Sequence, residues 1–187
     1  MINTPKILVF AGPNGSGKST ITPAWEKTGL YINADDIKAK SGCSDLEAAQ
    51  EAERLRELCL TEYRSFTFET VLSTKRNLDL LARAKKAGYH IESVFILTVS
   101  HELNVFRVKS RELSGGHSVP TDKISSQYVK SLANIPKLLV FSDIFKLVDN
   151  TDKPEILYIK DDAGTHIHPN KYWTIEAILK LIEIQPK

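Results

Sequence analysis

Apolar and polar positions along this chain follow two rhythms, and the chain switches between them repeatedly. Lys6 is followed by the unbroken apolar run Ile-Leu-Val-Phe-Ala, which predicts a buried strand at residues 6–11. A glycine-rich turn comes next, and a helix is predicted to leave it and stop near Gly29 as a left-handed cap. Residues 30–33 predict a short second strand. Ser44 and Glu47 have the spacing of a capping box, and Ala48, Ala52, Leu55, Cys59 and Tyr63 recur at helical intervals, so a long helix follows. A third strand is predicted at 65–69, and an amphipathic helix at 75–87, closed by Gly88. The apolar stretch 91–99 reads as a long buried strand and 101–113 as a charged helix. Residues 115–120 predict a loop, and 121–141 a mostly helical stretch with a break near Pro136. Late strands at 145–149 and 155–160 and a closing helix at 172–184 complete the pattern.

Strands that alternate with helices predict an α/β fold, a mostly parallel sheet covered on both faces. At 187 residues the chain suits a single domain. Ligands of such sheets bind beyond the carboxyl ends of the strands. Three segments meet there: the turn after the first strand, Asp35-Asp36 after the second, and Glu69-Thr70 after the third.

The first of these turns is the most specific signal. Gly12-Pro13-Asn14-Gly15-Ser16-Gly17-Lys18-Ser19 fits the P-loop (Walker A) pattern G-x-x-x-x-G-K-[ST], with a strand before it and a helix after it. Gly12 to Thr20 are therefore the candidate nucleotide-binding residues. Lys18 is expected to reach the terminal phosphates of ATP or GTP, and Ser19 to hold Mg²⁺. Phosphoryl transfer to a hydroxyl also benefits from a carboxylate that takes the proton. Asp35 stands nearer the strand end than Asp36 and is the preferred base, although turn and capping roles account equally well for both. Glu69 is a candidate for Mg²⁺ or for a substrate hydroxyl. Arg107 and Arg111 share one helical face just before the Gly115-Gly116 loop, the form of a lid that brings guanidinium groups over phosphates. His117 in that loop carries little signal alone. His166 and His168 have no third ligand nearby and read as structural.

Bulk properties narrow the class. A net charge of +2 with dispersed Lys and Arg points away from nucleic acid and membrane surfaces. No apolar run approaches a membrane span. The early first strand predicts no signal peptide, and Cys43 and Cys59 lack metal spacing, so a reduced, cytoplasmic protein is expected.

Together these residues resemble the zeta toxin family of bacterial P-loop kinases, especially its short single-domain members. The resemblance covers residues 6–150. It rests on the P-loop, on Tyr31-Ile-Asn-Ala-Asp-Asp-Ile37, on Phe68-Glu-Thr-Val-Leu-Ser73, on Arg107-Val-Lys-Ser-Arg111 with Gly115-Gly-His-Ser-Val-Pro120, and on Asp149-Asn150. It implies a three-layer, nucleotide-kinase-like P-loop fold with a helical lid at 101–135; residues 151–187 lie outside its motifs and read as core-completing strands and a helix. It also implies a kinase that uses ATP or GTP with Mg²⁺, with the amino-sugar 3′-hydroxyl of UDP-N-acetylglucosamine as candidate acceptor. Lys18 and Arg107 would serve the phosphates, with His117 or Arg111 as second lid cation. Asp35 would be the base. Asp36, Glu69, Thr70, Ser73 and His117 would lie toward the substrate. A separate antitoxin protein is a candidate partner. One departure stands out: short relatives carry arginines after the Gly-Gly-His loop where this chain has Ser125-Ser126-Gln127.

Two other readings compete. A nucleotide switch would need D-x-x-G followed by N-K-x-D; Asp161-Asp-Ala-Gly164 matches the first, late in the chain, and the second is missing from the sequence. A catalytically weakened P-loop protein acting through a protein partner would explain the missing arginines.

Overall fold

The computed structural model describes residues 4–113 and 119–183. Seven strands form one sheet: β1 (Lys6–Ala11), β2 (Leu30–Ile32), β3 (Phe66–Thr70), β4 (His90–Leu97), β5 (Ile144–Asp149), β6 (Glu155–Asp161) and β7 (Gly164–Ile167). Their order is β2-β3-β1-β4-β5-β6-β7. The first five are parallel, and β6 and β7 add as an antiparallel edge.

The central strands are apolar throughout because both faces are covered. Side chains alternate across a strand, so β1 feeds two cores. Ile7, Val9 and Ala11 join the larger one with Phe66, Phe68 and Phe95. Leu8 and Phe10 join the smaller one with Ile21, Val94, Ile96 and Val148. Helix α3 (Asp45–Thr61) starts at the predicted capping box, with Ser44 Oγ accepting from Glu47 N and Glu47 answering to Ser44 N. Its face buries Ala48, Ala52 and Cys59. Tyr63 lies beyond the helix end and is exposed, and Arg56 is buried instead, over the Phe68 ring. Helix α4 (Arg76–Lys86) closes before Gly88, and α5 spans His101–Leu113.

Some predicted elements need correction. The helix after the P-loop, α1 (Lys18–Ile21), passes into a 3₁₀ turn at Thr22–Ala24 and does not reach Gly29. Pro23 lies in the first turn of that 3₁₀ segment and has no N–H to continue an α-helical ladder. Gly29 is left-handed for another reason: a Cβ there would stand 1.8 Å from Ser65 O, where the chain enters β2 beside β3. The expected break near Pro136 is present: the helical stretch divides at Ala133-Asn134 into α6 (Thr121–Leu132) and α7 (Ile135–Phe141). Pro136 sits in the first turn of α7, where its missing N–H costs nothing. The region around His166 is a strand, β7, and the last helix, α8 (Ile175–Ile182), begins after a Thr174 cap. The sequence Asp161-Asp-Ala-Gly164 is the β6–β7 hairpin turn, at the sheet edge away from β1.

Candidate active site

Strand register brings the site together. Ala11, the last residue of β1, pairs with Thr70, and Phe10 pairs with Glu69. The end of β3 therefore lies level with the start of the P-loop, and Gly12 N donates to Thr70 O at 3.1 Å. Across β4, Leu97 pairs with Asp149 at the end of β5. A cleft of about 950 Å³ opens over these strand ends.

The P-loop glycines have specific reasons to be glycine. Gly15 and Gly17 have φ of 83° and 89°, in the left-handed region. A Cβ on Gly15 would stand 2.5 Å from Asn104 O on α5, and one on Gly17 would stand 2.1 Å from Asn150 Nδ2. The loop is thus clasped from behind by α5 and by the segment after β5. Asn150 Nδ2 donates to Ser16 O at 2.8 Å and completes the clasp. Asn14, Gly15, Gly17, Lys18, Ser19 and Thr20 line the cleft. Gly12, Pro13 and Ser16 lie beneath, as the floor of the loop, and Ser16 Oγ is a buried hydroxyl without a partner among the described residues.

Lys18 Nζ curls over the loop, donating to Gly12 O at 2.7 Å and Pro13 O at 3.2 Å. Burial lowers its pKa from 10.5 to about 8, and Glu69 and Asp35 partly restore it. Lys18, Glu69 and Asp35 all line the cleft. Asn33 caps α2 (Ala34–Ser41), its Oδ1 accepting from Asp35 N at 2.8 Å, and this places Asp35 in the first helical turn at the cleft wall. Asp36 is exposed and lies outside the cleft lining. Glu69 lines the cleft beside Thr70, and its Oε1 accepts from Tyr31 OH at 2.6 Å. Burial pushes the Tyr31 hydroxyl pKa well up, so it stays a donor.

Thr70 Oγ1 accepts from Leu72 N at 2.9 Å and Asn77 Nδ2 at 2.8 Å. The turn that follows holds Leu72 at φ 56°, a conformation that costs roughly 1–3 kcal/mol in a non-glycine residue. Ser131 Oγ and Asn134 Nδ2 secure it by donating to Val71 O at 2.6 Å and Leu72 O at 2.9 Å. Ser73 lies past this turn, outside the cleft lining.

Arg107 and Arg111 both line the cleft. The guanidinium of Arg107 donates to Asn150 O at 2.8 Å and Thr151 O at 2.7 Å, which ties α5 to the segment after β5. Arg111 also borders an adjoining cavity of about 380 Å³, with Asp35, Lys38, Ala39, Gly42 and Cys43. Gly115, Gly116 and His117 lie outside the described residues. Ser125 stands 3.2 Å from His101 Nδ1, facing α5, and Ser126 is exposed. Gln127 reaches the P-loop, its Oε1 accepting from Asn14 Nδ2 at 2.9 Å.

Three contributors were not singled out from sequence alone. Tyr31 and Asn150 appeared only within motifs of resemblance, and Lys123 did not appear. A polar residue every fourth position on α6 (Lys123, Gln127, Ser131) was the available signal for the last. No group of three or more His, Cys, Asp or Glu side chains able to hold a metal occurs among the described residues. A cation here would rest on Ser19 and on phosphate oxygens, which fits the donor set at the loop. No helix among the described residues is long and apolar enough to cross a membrane.

Comparisons with known proteins agree with this fold. The family model described as Zeta toxin matches residues 2–162. An uncharacterized protein of Haemophilus influenzae is 27% identical over 129 residues, which is 66% of this chain and 92% of that protein. Among solved structures, the AvrRxo1-ORF1:-ORF2 complex with ATP aligns with a TM-score of 0.73 at 15% identity. That match covers 98% of this chain but 65% of the AvrRxo1 chain. A structure from the PezAT chromosomal toxin–antitoxin system of Streptococcus pneumoniae aligns with a TM-score of 0.61 at 17% identity, covering 96% of this chain and 78% of that one. At these identities the solved structures speak for the fold.

Proposed function

The chain belongs to the zeta toxin family, and from that premise we propose that it is a kinase that moves the γ-phosphoryl group of ATP or GTP to a substrate hydroxyl. The observation that carries the reading is that Lys18, Glu69 and Asp35 line one cleft over the strand ends. The loop side of the cleft suits a triphosphate: left-handed glycines, the Lys18 amine and the first turn of α1 converge on it. The opposite side offers two carboxylates. Asp35 would accept the proton of the attacking hydroxyl, and Glu69, held by Tyr31, would orient the acceptor. Mg²⁺ bound through Ser19 would neutralise charge on the transferring group. Arg107 and Arg111 would supply cations from the lid helix.

UDP-N-acetylglucosamine is the first acceptor to try, and its amino-sugar 3′-hydroxyl is the expected position. The test incubates the protein with γ-labelled ATP, Mg²⁺ and this sugar nucleotide. Label in a phosphorylated sugar nucleotide supports the reading, and its absence rejects that acceptor. Because the PezAT and AvrRxo1 structures are described with partner components, a separate antitoxin that blocks the cleft is part of the proposal.

The nucleotide-switch reading loses support, because its one D-x-x-G match is a hairpin turn remote from the P-loop.

A further inference from the structure

We propose that Lys123 is a phosphate-binding cation of the lid, standing over the terminal phosphates of a bound nucleoside triphosphate. The inference rests on the kinase reading and adds a residue to it.

Helix α6 presents a polar stripe, Lys123, Gln127 and Ser131, at four-residue spacing on one face. Two of the three have fixed partners at the cleft. Gln127 meets Asn14 of the P-loop at 2.9 Å, and Ser131 meets Val71, just past Glu69 and Thr70, at 2.6 Å. The face is therefore anchored toward the site at two points. Lys123 lies one turn before Gln127 and lines the same cleft. Its side chain has no ion pair or hydrogen bond among the described residues.

Its position is electrostatically unfavourable in the empty protein. Lys123 is in the first turn of α6, where the aligned peptide dipoles repel a cation. A bound polyphosphate reverses the sign: the helix terminus and the ammonium then act together on one anion.

The test is equilibrium titration of the parent, Lys123→Ala, Lys123→Arg and Lys130→Ala with ATP, ADP and AMP in the presence of Mg²⁺. Lys130 is exposed on the same helix, outside the cleft lining, and serves as control. Loss of a charge-assisted contact should weaken ATP about tenfold or more in Lys123→Ala, with a smaller loss for ADP and little for AMP. Lys123→Arg should recover most of the ATP affinity, and Lys130→Ala should match the parent. The nucleotide-free melting temperature of Lys123→Ala should be no lower than the parent's, because a repulsive charge has been removed. A merely structural lysine would lower it. If Lys123→Ala binds all three nucleotides like the parent, or loses them equally, this inference fails and the kinase reading stands. A parent that binds no ATP overturns both.

Discussion

Tyr31 OH donates to Glu69 Oε1 at 2.6 Å, and that contact belongs to a relay from the Glu69 carboxylate to the backbone N–H of Asp35. Asn33 Nδ2 donates to Tyr31 OH at 3.1 Å, and Asn33 Oδ1 caps Asp35 N at 2.8 Å. The ends of β2 and β3 are thereby locked together through side chains as well as through the ladder. Tyr31→Phe keeps the ring and removes the donor to an anion. Such bonds are worth about 1.5–3 kcal/mol, so kcat/KM for the acceptor should fall roughly ten- to hundredfold. Affinity for ATP should stay within about twofold, because the ring is not at the phosphate loop. Steady-state kinetics with the acceptor varied, beside ATP titration, checks both.

Lys18 makes nucleotide binding weaken at alkaline pH. Its folded pKa is lowered, to about 8, from 10.5. In the empty protein the amine is charged below pH 8 and neutral above it. A phosphate favours the charged form, so ATP affinity should be steady near pH 7 and decline through pH 8–9.5, with proton uptake on binding. The stability of the empty protein should move oppositely. Between pH 8 and 10.5 the unfolded chain holds the proton that the folded chain has lost, so this group makes stability rise with pH there. Titration calorimetry in two buffers of different ionisation enthalpy measures the uptake.

Asn150 and Gly17 should be energetically coupled. A Cβ on Gly17 would meet Asn150 Nδ2 at 2.1 Å, and its φ of 89° is left-handed. Gly17→Ala should therefore destabilise the fold through both clash and backbone strain. Asn150→Ala should cost about 1 kcal/mol for the lost bond to Ser16 O. In the double variant the clash is gone and only the strain remains, so its loss should be smaller than the sum of the singles. Denaturant unfolding of the four proteins gives the coupling. Simple additivity would mean that Asn150 does not brace the loop.

The sequence made the strand–turn–helix unit at residues 6–21 legible because motif, apolar run and glycines all agree there. The capping box at Ser44 and Glu47 was legible for a similar reason: its bonds are local. What was missed depends on contacts distant in sequence. Gly29 looked like a helix cap, yet its conformation answers to Ser65 O across the sheet. Strand β7 is short and mostly exposed, so it lacks an apolar signature. Arg107 resembled a lid arginine free to swing, and only the fold reveals its two bonds to the segment after β5. Lys123 was invisible because helical spacing alone does not say which face meets the P-loop.

The central claim is that Asp35 readies a hydroxyl to take a phosphoryl group from a nucleotide held at Lys18. The direct measurement is mass spectrometry of a metabolite extract treated with Mg·ATP and either the parent protein or Asp35→Ala, with ATP affinity measured alongside. The parent should produce a species heavier by one phosphoryl group. Asp35→Ala should form it roughly 10²–10⁴-fold more slowly while binding ATP nearly as well. Equal production by both proteins, or no new species from a parent that binds ATP, would contradict the account.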